Sequence, residues 1–177
     1  IISVASPLAQ EVAGLTPLAA ATMVGLMGLF NGVGRIGWAS FSDYIGRPNT
    51  YTTFFIIQIA AYFMIPHTTN AILFQVIIFL ILTCYGGGFA SIPAFISDMF
   101  GTKQVSAIHG YILTAWASAG IAGPMFVSWI REMTSGYTST LYVFTGLFVV
   151  AFVVSLLIKK NIQALQAELK TVPVEAS

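Results

Sequence analysis

The chain reads as an all-α membrane protein, and three observations lead there. Hydrophobic residues fill 57% of the 177 positions, charged ones only 7%, and mean hydropathy is +0.88. That leaves too little polar surface to cover a water-soluble globule of this size. The uncharged runs are long and separated by short polar punctuation, whereas a membrane β-barrel would alternate over about ten residues per strand. Net charge is +1, which excludes a basic nucleic-acid footprint, so the bilayer is an expected partner and nucleic acid is not.

Taken in order, residues 1–6 are too few to span about 30 Å of hydrocarbon and read as the end of a truncated transmembrane helix. The opening Ile1-Ile2-Ser3, without an initiator methionine, fits a piece of a longer protein. Ser6 to Pro17 holds two prolines, Gln10, Glu11 and Gly14, which is loop chemistry. Residues 7–158 then form a bundle with spans at 18–40, 51–66, 71–92, 105–130 and 138–158, about five complete helices. The span 51–66 is short and crosses only if Asn49 to Tyr51 and His67 lie among headgroups. The span 71–92 is broken near its end by Gly86-Gly87-Gly88 and Pro93, and the span 105–130 by Gly120-Ile121-Ala122-Gly123-Pro124. Cys84, the single cysteine, cannot form an internal disulfide.

Lysine and arginine set the sidedness, because they are retained on the cytoplasmic face. Arg47, Lys103, Lys159, Lys160 and Lys170 fall on one side, five against Arg131 alone. The expectation is a multi-pass protein of the plasma (cytoplasmic) membrane with a cytoplasmic tail at 159–177. In that tail Ile162, Leu165, Leu169 and Val172 recur at helical spacing beside Lys159, Gln163, Gln166 and Lys170. The pattern suits a short interfacial helix or a solvated tail.

The leading functional residue is Arg35, in Phe30-Asn31-Gly32-Val33-Gly34-Arg35. It lies inside an otherwise uncharged run from Leu18 to Asp43. An arginine within a span costs about 2.5–3.5 kcal/mol on insertion scales and is seldom kept without a partner or ligand. At 100° per residue, Gly25, Gly28, Gly32 and Arg35 share a stripe, with Asn31 one turn before the arginine. A small stripe admits a neighbouring helix or a solute, and the guanidinium offers an anion a planar fork of donors.

Two further stretches resemble a known family. Asp43-Tyr44-Ile45-Gly46-Arg47 after a span, with small Ala39 four residues earlier, is similar to the loop signature of the major facilitator superfamily. The run Gly86-Gly87-Gly88-Phe89-Ala90-Ser91-Ile92-Pro93-Ala94-Phe95, with Asp98, Phe100 to Lys103 and Gly110-Tyr111-Ile112-Leu113-Thr114-Ala115-Trp116, resembles the oxalate/formate antiporter family within it. The resemblance implies the C-terminal six-helix half of a twelve-helix carrier, in which two bundles rock about a midplane site. The N-terminal six-helix half would then be missing here, and with it half of the binding site.

The signature residues Asp43, Gly46 and Arg47 are the gating candidates. Asp43 and Arg47 stand at i and i+4 with the acid first, and Asp43 could equally meet a neighbouring helix N-terminus. They serve as a cytoplasmic latch or as a solvated cap. Ala39 replaces the usual glycine, and Pro48-Asn49 stands where the family often has basic residues. Gly120 to Pro124 resembles the antiporter glycine–proline motif, though that motif usually sits in the fifth helix; plain packing explains it equally.

The substrate-binding candidates are Arg35, Asn31, Trp116 and Tyr111. Relatives that carry oxalate are expected to place a lysine in the eleventh helix, at the position that the Thr114-Ala115 pair assigns to Trp116. Losing one of two cations disfavours a doubly charged substrate, whereas an indole suits a smaller or half-apolar anion, or simple packing. His109 is a candidate proton relay or an interhelical polar contact. Gly86 to Gly88 could form a hinge or a close packing surface.

The resulting expectation is a secondary transporter for a small carboxylate anion, by exchange or proton symport. The alternative is a transport-fold sensor or scaffold that binds a small anion, disfavoured by a tail of nineteen residues. An enzyme would need a reactive constellation; the spans hold no His/Asp/Glu cluster, metal-ligand spacing or phosphate loop, so no metal or cofactor is expected.

Overall fold

The computed structural model describes residues 1–171, with side-chain surroundings through Leu165. A 3₁₀ turn at Ile2–Val4 leads into α1 (Ala5–Ala13), followed by α2 (Pro17–Ile45), α3 (Arg47–Met64), α4 (Ala71–Phe100), α5 (Val105–Thr134) and α6 (Thr138–Thr171). The stretches Pro17–Ile45, Ala71–Phe100, Thr102–Thr134 and Thr138–Leu165 are each long and apolar enough to cross a membrane. The eighteen residues of α3 reach about 27 Å, near the lower limit for the hydrocarbon core. No strand occurs among the described residues.

The helices are longer and the connections shorter than the sequence suggested. The loop expected over Ser6 to Pro17 is a correction, because most of it belongs to α1 and only Gly14 to Thr16 separates α1 from α2. Its prolines act as helix starters. Pro7 lies in the first turn of α1 and Pro17 opens α2, where no intrahelical N–H bond is lost, and Thr16 Oγ1 accepts the Ala19 N–H at 3.2 Å. The breaks expected at Gly86 to Pro93 and Gly120 to Pro124 are also corrected: α4 runs through Pro93 and α5 through Pro124. Inside a bilayer an unwound segment would strand its backbone polar groups, so one lost hydrogen bond at proline costs less than unwinding. α6 passes residue 158 without interruption. The side chains beyond Leu165, including Leu169 and Val172 of the expected tail stripe, lie outside the described residues.

Two glycines make tight corners at one end of the bundle. Gly46, at φ +85°, is the sole residue between α2 and α3, and Gly101, at φ +76°, ends α4. Both conformations are open to glycine and strained for other residues. At the other end, Asn70 caps α4 by accepting the Ile72 and Leu73 N–H groups at 2.9 and 3.1 Å.

α2 packs most extensively on α4, and α3 on α6. The buried core joins Leu8 and Ala9 of α1, Met23 and Met27 of α2, Tyr62 of α3, and Phe74, Ile78 and Ile81 of α4, closed by Tyr137 and Leu141. Large apolar side chains such as Leu29, Ile36, Ile121, Trp129, Val150 and Leu157 remain exposed. That much uncovered apolar surface suits lipid and packed protein, not water.

Candidate anion site and gate

Arg35 is exposed on α2, ten residues before its last residue Ile45, so about 15 Å from that end. Its Nε donates to Asn31 Oδ1 at 3.3 Å, the i–4 contact that the sequence spacing offered. Its guanidinium carbon stands 5.7 Å from the centroid of the Phe89 ring on α4, within cation–π range. No carboxylate pairs with it among the described residues, whereas Arg47 and Arg131 both have carboxylate partners. Gly25, Gly28 and Gly32 have open space beside them, and the close helix approach on α2 runs instead through Gly34.

Phe89 also meets α5, where its ring lies edge-on to Trp116 at 5.7 Å and to His109 at 6.4 Å. Trp116 Nε1 donates to the Tyr85 hydroxyl at 2.8 Å. Asn31, Arg35 and Trp116 therefore converge from two helices on a third that carries Tyr85 and Phe89. Tyr111 does not join them; it is 80% exposed on α5. His109 approaches by its ring, and its buried Nδ1 has no hydrogen-bond partner among the described residues.

The site residues that sequence reasoning missed are Phe89 and Tyr85. They stand at i and i+4 on α4 and so share a face; Phe89 lies in the run quoted above and Tyr85 immediately precedes it. A guanidinium without a carboxylate partner among the described residues, with the Phe89 ring beside it, can hold a small anion with an apolar part: the fork takes the charge and the ring meets the apolar part.

At the corner made by Gly46, Arg47 binds Asp43 at 2.5 Å and Asp98 at 3.3 Å, and also donates to Ser42 Oγ. The side chain of Arg47 is only 18% exposed, while Asp43 and Asp98 are 61% and 59% exposed. The expected pair of Asp43 and Arg47 is present, but it closes across the Gly46 corner from α2 to α3 and not along one helix, and the second carboxylate comes from α4. Sequence spacing gave no hint of Asp98, fifty-one positions away. At the opposite end, Glu11 accepts from Arg131 at 3.1 Å and from the Tyr137 N–H at 3.0 Å.

The family model of the Major Facilitator Superfamily matches residues 1–173. The oxalate:formate antiporter of Oxalobacter formigenes is 31% identical over 102 residues, 56% of this chain and 24% of that protein. Monocarboxylate transporter 14 of Mus musculus is 31% identical over 77 residues, 44% of this chain and 15% of that protein. The matched stretches thus cover about a quarter or less of either relative's length. With a helical membrane bundle and a family match spanning nearly its whole length, the chain belongs to the major facilitator superfamily of transporters.

Proposed function

We propose that the chain is the C-terminal half of a secondary active carrier for small carboxylate anions, working by alternating access. The observation that carries this reading is Arg35: a guanidinium within a span, exposed, oriented by Asn31 and Phe89, and without a carboxylate among the described residues. Retaining such a charge costs a few kcal/mol unless a counter-ion offsets it, and a substrate carboxylate is that counter-ion. The names of both relatives, one for oxalate and formate and one for monocarboxylates, support the class. Trp116 beside Phe89 favours a monocarboxylate such as formate, lactate or pyruvate over a dianion. Transport proceeds by anion exchange or by proton symport, with His109 as the relay in the second case.

Counterflow of labelled carboxylate in vesicles carrying the full-length protein tests the reading. Arg35→Gln should abolish uptake while membrane insertion remains normal; wild-type counterflow in that variant would sink it.

A further inference from the structure

Along the α2–α4 seam the helices come so close at three places that a side chain has no room. A Cβ on Gly34 would overlap the main chain of Thr83, one on Gly86 the carbonyl oxygen of Asn31, and one on Gly87 the Trp38 side chain. The first two contacts are reciprocal. Asn31 and Gly34 are three apart on α2, Thr83 and Gly86 three apart on α4, so the antiparallel helices interlock one turn apart. Trp38 Nε1 also donates to Thr83 Oγ1 at 3.2 Å, fixing the same register.

Gly86 lies directly under the anion site. The Cβ that overlaps Asn31 would also stand 3.3 Å from Cγ of Arg35, so the arginine stem runs across the bare backbone of Gly86. Beyond that point, Nε reaches Asn31 Oδ1 and the guanidinium lies over Phe89, three residues further along α4. Added bulk at Gly86 has no flexible tip to push aside. It meets main chain, so α2 must move away from α4 and carry Arg35 and Asn31 off Phe89.

We infer that Gly86 is a positioning residue for the Arg35 guanidinium, and that the α2–α4 seam centred on it sets where the fork presents its donors. This inference rests on the reading of Arg35 as the counter-ion of a carboxylate. Gly37, whose Cβ would meet open space, provides the comparison for an ordinary helix glycine.

The test is KM and kcat for labelled lactate and oxalate in vesicles carrying the full-length protein. Gly86→Ala should raise KM by about tenfold, the loss expected when one arm of a bidentate contact is misplaced, while Gly37→Ala leaves it unchanged. In an Arg35→Lys background, which already lacks the fork, Gly86→Ala should change KM little further. A wild-type KM in Gly86→Ala, or an equal loss in both backgrounds, would overturn the inference. Should Gly86→Ala not reach the membrane, Thr83→Ala removes the Trp38–Thr83 bond one turn away without adding atoms. A raised KM there supports the seam, and an unchanged one overturns it. Normal transport by Arg35→Gln would instead overturn the carboxylate reading, whereas an inactive Arg35→Gln with unaltered Gly86→Ala removes only the positioning role.

Discussion

Arg47 binds Asp98 across 3.3 Å and thereby ties the first turn of α3 to the last turn of α4. The same guanidinium holds Asp43 at 2.5 Å, on the last turn of α2, so one largely buried cation gathers three helix ends. Its two acids are mostly exposed, and exposed pairs are worth about 0–1 kcal/mol each. So weak a network adds little to holding the fold, and we propose that it biases an equilibrium between conformations instead.

For Asp43→Asn and Asp98→Asn we expect turnover to fall about two- to fivefold each, with KM and membrane insertion little changed. Because both acids share Arg47, the double variant should depart from the sum of the singles. Exchange rates in reconstituted vesicles measure this, and unaltered rates in all three variants would remove the network from the transport cycle.

Trp116 gives a prediction about selectivity. Trp116→Lys should shift preference from lactate toward oxalate, since a second cation stabilises a dianion near Arg35. Trp116→Phe should keep the contact with Phe89 and lose the hydrogen bond to Tyr85, weakening uptake while retaining the monocarboxylate preference. Competition between the two anions decides it; a wild type that already prefers oxalate would contradict the role given to the indole.

Sidedness can be read by cysteine labelling in intact cells. An external reagent should modify a cysteine placed at Thr69 or Ser135, at the end of the bundle that carries Glu11 and Arg131. It should not reach one at Asn49 or Thr102, near the Arg47 corner. The reverse pattern would invert the expected topology.

The Glu11 clamp should matter for stability and not for selectivity. Glu11 joins α1 to Arg131 at the end of α5 and to the Tyr137 N–H at the start of α6. Glu11→Gln keeps a neutral acceptor but loses the ion pair, for a cost of about 1 kcal/mol or less at this exposure. A modest drop in the unfolding temperature in detergent, with the lactate-to-oxalate ratio unchanged, is the expected result. A changed ratio would place Glu11 in the transport path instead.

Composition and run length alone led to a helical membrane bundle, because a chain so poor in charge has no other way to satisfy its surface. Spacing along one helix was equally informative for Asn31 and Arg35, which meet because helix geometry puts i and i+4 on one face; Asp43 and Arg47, also four apart, meet instead across the Gly46 corner between α2 and α3. The expected loop at Pro7, helix end at Pro93 and break at Pro124 all proved helical, since a proline fits a first turn without loss and lipid resists unwinding at one inside a span. Contacts between helices were out of reach. Phe89 under Arg35, Asp98 on Arg47 and Gly86 against Asn31 each join positions fifty or more apart. Helical periodicity orders residues within a segment and carries no information on which segment packs beside it, or in what register. That register was settled by where two backbones could approach without a Cβ between them.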